Sequence, residues 1–170
     1  MAAGVRPVKA SLNETMTLAA TAARGAGAPP AQAISFGHAA LRHLAAHRPA
    51  QDLTRALHAL PDGPILTLPL IFLHLQANPR TGVPLPPDVP DTLLQSYAEA
   101  QPFAIALRRT RFGPRMTSDP ATPAAVPEVS RIDLPDDLYR LLREHADRVL
   151  VPENDRSRRQ GAGAGLSDND

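Results

Sequence analysis

The sequence predicts an α+β domain: N-terminal helices, a small antiparallel or mixed sheet, then a C-terminal helix and a Gly-Ala tail. Three observations carry that class. Ser11-Leu12-Asn13-Glu14 has the form of a capping box, and apolar residues recur behind it at three- and four-residue spacing. Phe103, Ile105 and Leu107 alternate with small or basic residues, as in a half-buried strand. Leu134-Pro135-Asp136-Asp137 opens a helical pattern with proline in its first turn and acids near the positive end of the helix dipole.

Taken in order, residues 1–10 read as a loose leader. A first helix runs from Ser11 to about Arg24, with Leu12, Met16, Ala19, Ala20 and Ala23 on its apolar side, and Gly25-Ala26-Gly27 ends it. Pro29-Pro30 opens a second helix over 30–47, with Ile34, Ala40, Leu41, Leu44 and Ala45 as its stripe. Arg48-Pro49 stops it, because a residue before proline is pushed out of the helical region. A third helix spans 50–60 on Leu53, Leu57 and Leu60, and Pro61-Asp62-Gly63-Pro64 is a turn. The apolar run that follows reads as strand-like over 64–67 and as a short buried helix over 69–77, since proline suits a helix start better than a central strand. Prolines 79, 84, 86, 87 and 90 make 78–90 an extended linker or flap, and a short helix follows at 91–99. The strand begun at Phe103 continues to Phe112. Residues 114–127 read as a Pro-Ala loop, and Val129 to Asp133 as a short strand. Leu138, Leu141, Leu142, His145 and Val149 mark the buried side of the last helix, and Val151-Pro152 closes it. The expected organisation is a leader (1–10), one α+β domain (11–150) and a tail (151–170).

A chain of 170 residues can bury a genuine core. Apolar residues make up 43% but aromatics only 4%, so the core must rest on Ala, Leu, Val and Ile, with four Phe as large plugs. The net charge of +1 argues against a polyanion binder, whose affinity needs clustered phosphate neutralisation. Lys9 is the single lysine among 18 basic residues. With no cysteine, disulfides, thiolate metal sites and cysteine nucleophiles are excluded. MAAGVRPVKA lacks the apolar segment of a signal peptide, and Leu68 to Leu75 is too short to span a bilayer. A cytoplasmic location is therefore expected, with neither membrane nor nucleic acid as a partner.

His43 and His47 share the spacing of one helix face, which suits a metal, but His38 is rotated away and no third ligand is evident. The pair reads as solvated helix-end histidines, and His74 as a satisfied core or edge histidine. Arg108, Arg109, Arg111 and Arg115 form a basic patch. Strand alternation places Arg109 and Arg111 on one face, where guanidinium forks would suit a phosphate or carboxylate. In the tail, Ser157, Arg158, Gly161, Gly163, Gly165, Asp168 and Asp170 are candidate ligand-binding positions. The glycine run would offer backbone amides to an anion, and the aspartates a hard cation site. No Gly-Lys-Ser/Thr follows, so the run is not a P-loop. Nothing places Ser157 beside His145 as a nucleophile and base. No catalytic residue, resident metal or cofactor is assigned.

The opening SLNETMTLAATAARGAG and the closing VPENDRSRRQGAGAGLSDND together resemble the two ends of a bacterial domain-of-unknown-function family. That family begins with Ser-Leu-Asn-Glu, continues to Ala-Arg-Gly-Ala-Gly, and ends on Gly-Ala-Gly-Ala-Gly followed by Asp-Asn-Asp. The resemblance implies no activity. It implies that Arg158, Gly161, Gly163, Gly165, Asp168 and Asp170 are the tail positions that matter. The first two helices also share a pattern with the type II malate/lactate dehydrogenase family. Its Gly-His-x-Ser-His-Gly-like segment is replaced here by His47-Arg48-Pro49, so no activity follows. The leading expectation is an accessory or interaction protein, self-associating as a homodimer or bound to a protein partner, whose tail docks on itself or on that partner. The alternative is an anionic metabolite, bound with or without catalysis between the strand arginines and the tail.

Overall fold

The computed structural model describes residues 7–79, 82–111 and 113–149. Ser11 is both the last residue of strand β1 (Val8–Ser11) and the N-cap of helix α1 (Leu12–Gly25). The expected capping box is complete. Ser11 Oγ accepts from the Glu14 N–H at 3.2 Å, and the Ser11 N–H donates to Glu14 Oε2 at 2.7 Å. Those two bonds hold the Glu14 carboxyl below its ordinary range. Strand β1 takes up Val8, Lys9 and Ala10, the last part of the expected leader, whose residues 1–6 lie outside the described residues. Val8 pairs with Leu134 and Ser11 with Arg131 in an antiparallel ribbon with β5 (Arg131–Leu134), so the bonds that order β1 come from the far end of the chain.

Helix α1 packs against α2 (Pro30–Ala45) and against α6 (Asp136–Asp147). Small residues make these packings close. Ala19, Ala22, Ala23, Ala33, Ala39 and Ala40 are all buried, and Phe36 fills the space beside them. Two glycines sit where backbones meet: a Cβ on Gly37 would press on the Met16 carbonyl, and one on Gly25 would overlap the His145 carbonyl. Helix α6 buries Leu138, Leu142 and Ala146, while Val149 beyond it lies at the surface.

Helix α3 (Ala50–His58) and helix α5 (Asp91–Glu99) follow the expected bounds closely. Between them, α4 runs unbroken over Pro64–Ala77, which corrects the strand-like reading of 64–67. Pro64 starts the helix, where its missing N–H is harmless, and the helix continues through Pro69. Ile65, Leu68, Phe72 and Leu75 form its buried face, and the Phe72 ring stacks on Tyr97 of α5 with centroids 6.4 Å apart.

The second sheet has the order β2 (Val83–Pro84), β4 (Gly113–Pro123), β3 (Phe103–Thr110), and it is antiparallel throughout. Strand β4 overturns the Pro-Ala loop expected over 114–127, and β2 lies within the expected linker. Pro120 does not break the ladder because the register slips there. Phe103 faces Pro123 while Ala104 faces Asp119, leaving 120–122 as a bulge. Asp119 closes the bulge by accepting from Ala121 N–H and Thr122 Oγ.

Candidate functional site

Burial concentrates polar chemistry where α2, the turn after it and α5 meet. The proline-stopped turn at 46–49 carries Arg48 back toward α5, and His47 takes a positive φ of 53° to make that bend. His43 and Ser96 are fully buried, and Asp52 is nearly so. His43 Nε2 lies 2.8 Å from the Pro49 carbonyl, and Nδ1 lies 2.9 Å from Ser96 Oγ. A carbonyl only accepts, so Nε2 carries the hydrogen. Burial pushes the His43 pKa down, while the Ser96 hydroxyl donates its one hydrogen to the Thr92 carbonyl at 2.7 Å, with His43 Nδ1 beside the same oxygen. Arg48 Nη1 donates to Ser96 Oγ at 2.9 Å and to Glu99 Oε2 at 2.8 Å, while its Nη2 donates to Glu99 Oε1. Gln95 Nε2 adds a bond to the same carboxylate at 3.0 Å. Thr92 Oγ donates to Asp52, which also faces Arg55 at 3.7 Å.

A serine on a histidine invites comparison with a nucleophile and its base. Here the hydroxyl is sealed from solvent, its oxygen already accepts from Arg48, and the far ring nitrogen is taken by a carbonyl. The arrangement locks the α2–α3 turn to α5 and fixes the direction of Glu99.

Glu99 opens onto a groove of about 650 Å³. One wall is the end of α2 and the outer side of α5, the floor is β3, and the far wall is the 124–129 segment. Phe103, Ile105, Leu107 and Val126 supply apolar surface, with Leu107 44% exposed. Glu99 and Glu128 are its acids, and Arg42 spans the end by donating to the Ala125 carbonyl at 2.8 Å. Phe103, Ile105 and Leu107 alternate along β3 and so share one of its faces, along which the groove runs. A second cavity, of about 690 Å³, lies between α4 and residues 82–87.

The residues singled out from the sequence fare unevenly. His43 and His47 do not share a helix face, because α2 ends at Ala45 and His47 is past its cap. His43 is a core residue rather than a solvated one, whereas His74, expected in the core or at its edge, is exposed on α4. The arginines occupy two strands and a turn. Arg108 on β3 faces Arg115 on β4 directly, Arg109 follows on β3, and Arg111 is in the turn, where strand alternation no longer applies. Arg115 Nη2 donates to the Gly82 carbonyl at 2.9 Å. Phe112 and the tail positions Ser157, Arg158, Gly161, Gly163, Gly165, Asp168 and Asp170 lie outside the described residues. Among the described residues no three histidine or acidic side chains gather to hold a metal ion, and no helix is long and apolar enough to cross a membrane.

The lock of His43, Arg48, Ser96 and Glu99 escaped sequence reasoning. Its members are scattered over two helices and a turn, and none stands in a spacing that marks it. The one available signal was Arg48-Pro49, a charged residue forced out of a helix immediately after an apolar face. Neither a protein-family model, nor a curated protein, nor a solved structure matches the chain.

Proposed function

We propose that this is a cytoplasmic accessory protein that works through protein–protein contact, receiving an extended segment in the groove along β3, with its own residues 151–170 as a docking element for itself or a partner. The observation that carries the reading is that β3 ends its sheet among the described residues and borders an apolar groove. β3 is the terminal strand of its sheet among the described residues, so its outward amides and carbonyls are a template for another strand. An added strand gains main-chain hydrogen bonds, and its alternate side chains enter the groove past Ile105 and Leu107. The tail's run of glycine and alanine suits such a narrow path. Amide hydrogen exchange over 161–166 is the test. The intact protein should protect these amides, and Ile105→Glu should release them while the helical circular dichroism is retained. Complete exchange in the intact protein, together with no saturable binding of a synthetic 151–170 peptide, would overturn the proposal.

A second reading is an anionic small molecule bound by Arg109 and Arg111 together with the tail, and the close run of Arg108, Arg109 and Arg111 in the sequence favours it, because guanidinium forks match phosphate and carboxylate. Replacing Arg109 and Arg111 by alanine should then abolish metabolite-induced thermal stabilisation. An unchanged shift counts against that site.

A further inference from the structure

Helix α2 runs back along α1, since a Cβ on Gly37 would press on the Met16 carbonyl and the Ala20 side chain. The end of α1 therefore lies beside the start of α2. Val149 is at that end, its Cγ2 3.3 Å from where a Cβ on Gly25 would stand. The β3 groove is at the other end of α2, where Arg42, Ala45 and Ala46 line it. Helix α2 has 16 residues, a length of about 24 Å. An extended chain covers about 3.3 Å per residue, so the nine residues from Val149 to Arg158 reach about 30 Å. That span exceeds the helix length and brings Arg158 and Arg159 to the mouth of the groove.

The charges there are complementary. Glu99 is held by Arg48 and Gln95, but Glu128 on the far wall is exposed and bonds to no described side chain. The tail carries two adjacent guanidinium groups to that carboxylate. Beyond them, the five residues 161–165 equal 103–107 of β3 in extended length, about 17 Å. Being only glycine and alanine, they let one backbone approach another closely past Ile105 and Leu107.

We propose that residues 151–170 dock on their own chain, with Arg158 and Arg159 on Glu128 and 161–165 along β3, so that a partner's segment must displace the tail to enter the groove. The docking rests on the groove being a peptide site, and it makes that site self-inhibited. A tethered segment competes at an effective concentration of the order of millimolar. In the full chain the amides of 161–165 should be protected from exchange equally at about 1 and 100 µM protein, as an intramolecular contact requires. Glu128→Arg should speed their exchange about fivefold, and adding Arg158→Glu/Arg159→Glu should restore the protection. Ala162→Pro/Ala164→Pro removes two amides from the docked strand. A synthetic 151–170 peptide should therefore bind that full chain at least about tenfold more tightly than the native one. Protection that grows with concentration puts the tail in a second copy and overturns the proposal. An unchanged rate in Glu128→Arg, or equal peptide affinity for the native and proline chains, overturns it too. Free exchange of 161–165 in a native chain that the peptide still saturates overturns the self-docking alone, whereas free exchange with no peptide binding overturns the groove reading as well.

Discussion

His43, Ser96 and Asp52, buried between α2, α3 and α5, are hydrogen-bonded to their neighbours, whereas leucines on α4 and β3 and a valine of the 124–129 segment stay in solvent. In the first region His43, Ser96, Arg48, Glu99, Asp52 and Thr92 satisfy each other, and the chemistry of each group is consumed by holding helices in place. In the second, Leu70, Leu73, Leu107 and Val126 have no such closure. The difference separates structure from function. A buried group that is fully partnered has no capacity left for a ligand, while exposed apolar area is where association free energy remains available.

The sharpest way to break the comparison is to empty the helical core. Phe36 is fully buried among the small residues of α1 and α2, so Phe36→Ala removes a large side chain from a site that cannot collapse. The expected loss is about 3–5 kcal/mol by urea unfolding, and a loss below about 1 kcal/mol would contradict the packing described.

Arg48→Ala tests the lock itself. The Glu99 side chain is 37% exposed, so solvent screens much of the lost pair and the expected cost is about 1–2 kcal/mol. The lock also predicts a pH dependence. Burial holds the folded-state pKa of His43 below its ordinary value of 6.5, and His145 is shifted the same way by burial and by Arg148. The unfolded chain therefore binds more protons at mildly acidic pH. Stability is fully present above about 6.5 and is lost as pH falls from there through the folded values. His43→Gln should flatten the thermal-melting curve against pH between 7.5 and 5 without abolishing its slope, because His145 remains.

The smallest stability effect is expected in the open region. Leu107→Ala should cost a few tenths of a kcal/mol, since so much of the side chain is already in water. The same change should weaken binding of a 151–170 peptide if the groove is its site, and calorimetric titration separates the two effects.

Local grammar was legible where the physics is local. The Ser11 capping box, the proline-started α6 and the alternation of Phe103, Ile105 and Leu107 each appear where their side chains place them. What failed depended on a partner. β4 carries three prolines and small polar residues and has no strand pattern of its own; it is a strand because β3 and β2 bond to it and a bulge absorbs Pro120. β1 is ordered by β5 across most of the chain length. The lock around His43 was illegible for the same reason, since Ser96 and Glu99 reach it only when α5 packs on α2.

The sequence by itself determined five of the helices, the α+β class, the strand at Phe103 and the lack of any thiol chemistry. Only the tertiary structure decided that 64–67 is helical, that β1, β2 and β4 are strands, that His43 is core while His74 is surface, and that Leu70 and Leu73 of α4 face water. Capping, proline geometry and periodicity act within a few residues of their cause. Pairing, burial and exposure depend on what another segment brings alongside.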